Sequence, residues 1–281
     1  MSYDILTEKF KTWAETCPDI RTAIITGSQA RQDHSADEWS DMDIIIYADD
    51  SPRYLAHTDW VNAFGPTWLT LTNTVGGREP LLRCLFQGGY TIDFFIYPRE
   101  MMGRFIKDGV YPRCFHQGAR LIVDKDNLGA RIIPPSFSPL PLRPPTEDEF
   151  LEIVHSFSYL AVHSAKKLLR GELWLVHVWD GKIKEHLLTM LQWQARAKKG
   201  WDYDTWYAGH FLEEWADAGV VERLSDAFAR YDDNECREAL LVTMDLFRGQ
   251  AKEVAGLLGY TYPESTDESV SGWIKKQLTD Q

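Results

Sequence analysis

The 281-residue chain carries 42 acidic and 30 basic side chains, which gives a formal net charge of −12 at pH 7. This balance argues against a nucleic-acid-binding protein, whose footprint is a basic patch, and it suits a cationic small-molecule partner. The sequence has no run of eighteen apolar residues and no N-terminal signal pattern, so we expect a cytoplasmic protein without a membrane span.

The first half of the chain predicts a mixed β-sheet accompanied by helices. Apolar residues at helical spacing predict a first helix over residues 3–16. Alternating and β-branched runs predict strands, two of which form a hairpin through a Gly-Gly turn. The predicted strands lie at about 21–27, 42–48, 67–74, 81–86, 91–97 and 119–123, and two further helices lie at about 52–62 and 98–107.

A proline-rich segment separates the two halves. Residues 134–145 contain six prolines, a composition that excludes helix and central strand and favours a stiff, extended connection. Thr146 followed by three acids predicts a capped helix, and helical periodicity continues beyond it. We therefore predict an α+β protein with an N-terminal domain over 1–133, a linker over 134–145 and an all-α domain over 146–281.

Three acidic residues on predicted strands stand out in the first half. Asp41 and Asp43 are two residues apart at the start of a strand, so their side chains share one face. Asp93 is a lone charge inside an aromatic and β-branched strand, where it is costly unless paired or metal-bound. Carboxylates at this spacing suit Mg²⁺ bound together with substrate phosphates. The preceding turn, Gly27-Ser28, allows a close approach to a phosphate group.

This ordered set resembles the nucleotidyltransferase fold of the polymerase-β type. The segments at 165–173, 180–184, 187–193 and 246–263 are similar to the helical domain of aminoglycoside 6-adenylyltransferases, the streptomycin adenylyltransferase type. The resemblance covers nearly the whole chain. It implies a nucleotidyltransferase domain followed by a helical substrate-binding domain. The implied reaction is Mg²⁺-dependent transfer of AMP from ATP to a hydroxyl of a streptomycin-like aminoglycoside, with release of pyrophosphate.

The resemblance also implies roles for the three acids. Asp41 and Asp43 would hold Mg²⁺ against the triphosphate. Asp93 would complete a second metal position and accept the proton of the attacking hydroxyl. Glu79 and Glu100 flank the same hairpin and remain alternatives to Asp93 as the general base.

Phosphate binding is expected at the Gly-Ser turn. Gly27 and Ser28 would fix the β- and γ-phosphates. The family commonly has an arginine directly after Gly-Ser, whereas this chain has Gln29. Arg31 is near enough in sequence to substitute for that arginine.

In the second half, Lys166 matches a family position that would clamp the pyrophosphate, although it is also compatible with a solvated basic face. Asp180, Trp174 and Trp179 are candidates to bind a cationic acceptor by ion pairing and stacking. Tryptophans near helix ends are, however, usually core residues, and acids there are usually caps. The family pattern implies a lysine near Gly209, and this chain has His210 there.

Three alternative functions remain at this stage. The first is a nucleotidyltransferase of the same fold with another acceptor, such as a lincosamide, a small metabolite or a protein hydroxyl. The second is a catalytically silent nucleotide-binding module, against which the presence of all three acids argues. A nucleic-acid polymerase fits least, because of the negative charge. We expect a monomer or a weak dimer.

Overall fold

The computed structural model describes residues 2–31, 33–34, 36–75 and 79–279, without the side chains of Val75 and Glu79. The backbone divides into two compact units, Met1–Leu140 and Pro141–Gln281. The division falls inside the proline-rich segment, where no helix or strand is formed between residues 134 and 145. Each unit is described separately below.

The first unit is built on a six-stranded mixed sheet. The strand order is β3-β4-β5-β2-β1-β6; β2 and β5 run parallel, and the other neighbours are antiparallel. The strands are β1 (Ile20–Thr26), β2 (Met42–Ala48), β3 (Thr67–Val75), β4 (Glu79–Phe86), β5 (Thr91–Pro98) and β6 (Arg120–Asp124). The helices are α1 (Tyr3–Thr16), α2 (Ser51–Ala56), α3 (Glu100–Asp108) and α4 (Gly129–Ile132).

Helices cover both faces of this sheet because the central strands are apolar on both sides. On one face, Phe10 of α1 and Tyr54 of α2 pack in a large core with strand residues such as Ile44 and Phe94. On the other face a smaller cluster includes Met102 of α3. Central strands that are buried on both sides read as continuous apolar runs, which is the pattern of residues 44–47.

The predicted helix over 52–62 is shorter than expected. It ends at Ala56, and a 3₁₀ turn follows over Asp59–Ala63. The indole Nε1 of Trp60 donates a hydrogen bond to the Tyr54 carbonyl at 2.9 Å. In a longer α-helix the Tyr54 carbonyl would accept a hydrogen bond from a backbone N–H of the next turn. Here it accepts the Trp60 indole N–H, and the helix has already ended.

The second unit is a helical bundle, as predicted. Its helices are α5 (Glu147–Leu168), α6 (Leu173–Lys199), α7 (Leu212–Trp215), α8 (Ala218–Ala227), α9 (Asp233–Leu258) and α10 (Glu264–Thr279). The rings of Phe157 and Phe247 stack 3.7 Å apart in the core between α5 and α9. In the described part of the chain, no helix combines the length and the apolar character that a bilayer span needs.

The predicted start of α5 is confirmed in detail. The Thr146 hydroxyl accepts a hydrogen bond from the Glu149 N–H at 3.2 Å, and the Glu149 carboxylate accepts one from the Thr146 N–H at 2.8 Å. This reciprocal capping box satisfies two backbone donors that a helix otherwise leaves unpaired. Arg143 pairs with the same carboxylate and so ties the end of the proline-rich segment to the helix.

Candidate active site

Four residues from four neighbouring strands form one line across the sheet of the first unit. Thr26 of β1 is opposite Asp43 of β2, Asp43 is opposite Asp93 of β5, and Asp93 is opposite Arg83 of β4. Residues directly opposite each other project to the same face of a sheet, with neighbouring strands about 4.8 Å apart. We call Thr26, Asp43, Asp93 and Arg83 the cross-strand row.

The carboxylate of Asp43 lies against the Gly27 backbone. A Cβ atom added to Gly27 would be 2.4 Å from Asp43 Oδ2, and the Gly27 φ of +67° is in the left-handed region. A side chain at this position would have to displace the Asp43 carboxylate, and the left-handed φ favours glycine. Burial, followed by the charges of Asp41 and Asp93, raises the pKa of the Asp43 carboxyl to about 7. The site therefore concentrates negative charge that a bound cation would relieve.

Asp93 is paired with a residue that the sequence analysis did not single out. Arg83 Nε donates to Asp93 Oδ2 at 3.1 Å; the Arg83 side chain is 50% exposed and that of Asp93 is 19% exposed. Burial raises the pKa of the Asp93 carboxyl, and the Arg83 guanidinium opposes that rise. The register of the β4–β5 hairpin determines this pairing, and the sequence shows only that the two strands are joined by a turn.

Asp41 directly precedes β2 and is exposed. The Ser28 hydroxyl donates to the Asp41 carbonyl at 3.3 Å, which ties the Gly-Ser turn to the start of β2. Mg²⁺ prefers carboxylate oxygens as ligands, and Asp41 and Asp43 offer such oxygens close to a third carboxylate, that of Asp93. Within the described residues, no group of three His, Cys, Asp or Glu side chains is close enough together to hold a metal ion. The fit to Mg²⁺ thus rests on Asp41 and Asp43, and a three-carboxylate site stays a prediction.

A cavity of about 580 Å³ opens beside Asp43 on the face of the sheet that α3 covers. Its walls are largely aromatic and apolar, and its polar end is formed by the turn after β1 and by Asp43. The lining includes Thr26, Gly27, Asp43, Ile45, Tyr47, Phe95, Tyr97, Met101, Phe105, Tyr111, Arg113 and Gln117. A volume of 300–1,000 Å³ with a few convergent polar groups is typical of small-molecule sites.

Arg31, the predicted replacement for the family's arginine, already binds a carboxylate. Its Nε and one terminal nitrogen donate to the two oxygens of Asp33, each at 3.0 Å. A phosphate would have to displace Asp33 to gain this fork of donors. A role for Arg31 in phosphate binding stays a prediction.

The predicted residues of the second unit lie on α5 and the first turns of α6. Lys166 is exposed in the last turn of α5, and Trp174 is 75% exposed. Trp179 is half-buried, its Nε1 is buried without a hydrogen-bond partner in the described residues, and Lys182 Nζ lies 4.7 Å from its ring centre. Asp180 pairs with Lys184 Nζ at 2.6 Å.

These environments separate the acceptor candidates. Trp174 offers a free indole surface, whereas Trp179 already has a cation over its ring. A cationic acceptor would have to compete with Lys184 for Asp180, so Asp180 is a helix-internal ion-pair partner as the chain stands. None of these contacts tests the predicted acceptor site.

The two alternatives to Asp93 as a base are placed differently. Glu100 opens α3 beyond the far end of β5, seven residues from Asp93, which is roughly 23 Å along an extended strand. The Glu79 side chain lies outside the described residues. Asp93 therefore lies in the cross-strand row, and Glu100 does not.

Comparison with known proteins adds a family assignment to this geometry. A family model described as streptomycin adenylyltransferase matches residues 2–277. An aminoglycoside 6-adenylyltransferase from Campylobacter jejuni is 25% identical over 98% of this chain and 94% of its own length. One from Staphylococcus aureus is 21% identical over 92% of each chain.

The solved structures similar to this chain include an aminoglycoside 6-adenyltransferase from Bacillus subtilis. It is 20% identical, with 98% of this chain and 97% of that chain covered and a TM-score of 0.48. The family match covers all of the described sheet and helices except the last two residues of α10. The protein is a nucleotidyltransferase and belongs to the streptomycin adenylyltransferase family.

Proposed function

We propose that this protein transfers AMP from ATP to a hydroxyl group of an aminoglycoside, with a streptomycin-like acceptor, and releases pyrophosphate. Membership of the streptomycin adenylyltransferase family and the names of the two curated relatives support the reaction class. The single structural observation that supports it best is the register that sets Asp43 and Asp93 side by side, next to Gly27.

Each part of the site has a defined task in this reaction. Gly27 and Ser28 bring backbone and hydroxyl groups against the triphosphate. Asp41 and Asp43 would hold Mg²⁺, which would neutralise charge on the phosphate oxygens. Asp93, with its pKa raised by burial, accepts the proton of the acceptor hydroxyl as that oxygen attacks the α-phosphorus. Transfer of this kind depends mainly on positioning and charge neutralisation.

We further propose that the nucleoside of ATP occupies the aromatic cavity beside Asp43. The cavity begins at Thr26 and Gly27, where the phosphates would lie, and continues over the rings of Tyr47, Phe95 and Tyr97. A purine ring inserted there would replace water against apolar walls. The triphosphate would then lie against Thr26, Gly27 and Asp43 at the polar end of the cavity.

The second unit is proposed to bind the acceptor and the pyrophosphate. The exposed indole of Trp174 supports stacking on a guanidinium or sugar ring, and the exposed ammonium of Lys166 supports a pyrophosphate contact. Asp180 takes part only if the acceptor displaces Lys184. The half-buried Trp179 stacks on the acceptor only if the acceptor replaces Lys182 over its ring.

Mass spectrometry of the products tests this function. Purified protein, ATP and MgCl₂ are incubated separately with streptomycin, kanamycin, spectinomycin and lincomycin, and Asp41→Asn serves as the blank. We expect an AMP adduct on streptomycin that is absent from the Asp41→Asn reaction and from a reaction with EDTA. An adduct on lincomycin alone would move the protein to another acceptor class, and an adduct formed in EDTA would refute the Mg²⁺ requirement.

A further inference from the structure

The guanidinium of Arg83 closes the cross-strand row at the Asp93 end, and nothing in the reaction described above uses it. We propose that Arg83 is a positioning residue that holds Asp93 as the proton acceptor and keeps it out of the metal coordination, in place of the second metal position that the family resemblance implies for Asp93. The nucleotide-free protein then binds one divalent cation, through Asp41 and Asp43. This inference rests on the proposed function, because it assigns the third acid of the same site.

The first support is geometric. Arg83 and Asp93 are direct partners in the β4–β5 pairing, so their side chains project to the same face, and the ion pair joins Nε to Oδ2 at 3.1 Å. The neighbouring β4 side chains Leu81, Leu82 and Cys84 are buried and apolar. The Arg83 side chain, by contrast, is half exposed and is paired with Asp93.

The second support comes from the arrangement of the carboxylates. Asp43 and Asp93 are neighbours across β2 and β5, yet no three acidic, histidine or cysteine side chains of the described residues come together as a metal-binding group. A carboxylate already paired with a guanidinium has a cation of its own. Asp93 thus has an ion-pair partner in Arg83, whereas no ion pair to Asp41 or Asp43 is formed among the described residues.

The third support is electrostatic. The Arg83 guanidinium lies 3.1 Å from the Asp93 carboxylate, and Asp93 is opposite Asp43 in the register of β2 and β5. A second divalent ion at the Asp93 end would lie next to this guanidinium and be repelled by it. Arg83 therefore takes the place of a second cation in the row. Its Nε holds Oδ2 of Asp93, and the Asp93 carboxylate can still accept a proton.

Counting bound Mn²⁺ by electron paramagnetic resonance, without nucleotide, tests the inference directly. We expect one Mn²⁺ per wild-type chain. Arg83→Ala removes the repelling charge and frees Asp93 to join the site, so its Mn²⁺ affinity should rise about five- to tenfold. Arg83→Lys should retain the wild-type affinity. A gain of metal affinity is a result that damage to the fold does not produce.

A charge-balanced double variant separates the two roles of Asp93. Arg83→Gln combined with Asp93→Asn removes one positive and one negative charge together. If Asp93 is not a ligand, this variant keeps one Mn²⁺ with an affinity within about threefold of wild type. Its kcat falls while the KM for ATP stays near the wild-type value, and Arg83→Ala alone lowers kcat in the same direction.

Three results would overturn the inference. They are two Mn²⁺ ions per wild-type chain, loss of Mn²⁺ binding in the double variant, and unchanged Mn²⁺ affinity in Arg83→Ala. If Asp41→Asn abolishes Mn²⁺ binding while Arg83→Ala leaves it unchanged, only the role of Arg83 is refuted. If Asp41→Asn binds Mn²⁺ normally, the metal site of the proposed function fails, and this inference fails with it.

Discussion

The Gly27 backbone and the Asp43 carboxylate pack so closely that the position of one constrains the position of the other. The left-handed φ of Gly27 turns the chain directly after β1, and the absent Cβ leaves room for Asp43 Oδ2. The Gly-Ser turn and the second acid of the D-x-D pair are 16 residues apart in sequence, since they occupy positions 27 and 43. Their contact would let the turn that we propose for phosphate binding and the acid that we propose for metal binding serve the same triphosphate.

Gly27→Ala tests this contact. We expect activity to fall at least a hundredfold, because the new methyl group displaces the Asp43 carboxylate, and we expect left-handed strain of about 1–2 kcal/mol. Gly109→Ala is the matched control, with nearly the same φ of +66° and nothing within 4 Å of the added Cβ. Steady-state kinetics and thermal unfolding of both variants check the prediction. Equal activity losses in the two variants would show that strain alone is responsible.

Asp93→Asn tests the proton acceptor. We expect kcat to fall by about 10²–10⁴-fold, the usual contribution of a positioned general base, with little change in the KM for ATP. Glu100→Gln is the control, because Glu100 lies beyond the other end of β5. Near-normal kcat in Asp93→Asn together with a large loss in Glu100→Gln would reverse the assignment. Both variants are measured under the same saturating conditions.

Strand register, and not sequence spacing, assembles the cross-strand row. The alternation of apolar residues predicts β2, β5 and the β4–β5 hairpin, and the D-x-D pair predicts that Asp41 and Asp43 share a face. The pairing of Asp43 with Asp93 depends on β2 and β5 being parallel neighbours, which are 50 positions apart along the chain at residues 43 and 93. The partner of Asp93 depends on the exact turn length of the hairpin, so the sequence left Arg83 unidentified.

Local signals were more informative at the start of α5. A hydroxyl at Thr146 followed by an acid three residues later specifies a reciprocal cap, and the structure contains it. The shortened α2 shows the limit of such signals. Its end depends on the Trp60 indole reaching back to the Tyr54 carbonyl, a contact that helical periodicity does not encode.

The cap predicts a pH dependence for the stability of the second unit. Hydrogen bonds from Arg143, followed by those from the Thr146 backbone, lower the pKa of Glu149 from 4.5 to about 2. A depressed folded-state pKa stabilises the fold above the unfolded value, and that stabilisation is lost as the pH falls from about 4.5 towards 2. The melting temperature of wild type should exceed that of Glu149→Gln at pH 5.5, and the difference should shrink by pH 3.5.

Two comparisons make this test specific to the cap. Glu152→Gln removes an exposed acid from the same helix and should not reproduce the pH-dependent difference. High salt should narrow the difference for Glu149→Gln, because the Arg143–Glu149 pair is solvent-exposed. A constant difference from pH 5.5 to 3.5 would contradict an ionised Glu149 as the stabilising form.

The chain as a whole combines an α+β unit, which contains Asp41, Asp43 and Asp93, with a helical unit of about the same length. Its net charge is strongly negative. Composition and periodicity predict this division into sheet and bundle, because the proline-rich segment interrupts both patterns. The acceptor-binding residues are the part that the sequence identifies least well. Helix-end tryptophans and acids such as Trp179 and Asp180 already have partners within the bundle.

The net charge of −12 predicts that salt affects the KM values of the two substrates differently. Raising NaCl from 50 to 500 mM screens attraction between an acidic surface and a polycationic aminoglycoside, so its KM should rise several-fold. The KM for ATP, an anion, should not rise in parallel. Initial rates at fixed Mg²⁺ check this expectation. A parallel rise for both substrates would point to a general effect of salt on the enzyme.

Label transfer from radioactive ATP distinguishes transfer of the adenylyl group from transfer of a phosphate. Streptomycin and MgCl₂ are incubated with ATP labelled at either the α- or the γ-phosphate, using wild type and Asp43→Asn. We predict that streptomycin gains label from the α-phosphate alone, that γ-label is released as pyrophosphate, and that Asp43→Asn transfers neither. Gamma-label on streptomycin, or undiminished α-label transfer by Asp43→Asn, would contradict adenylyl transfer at the cross-strand row.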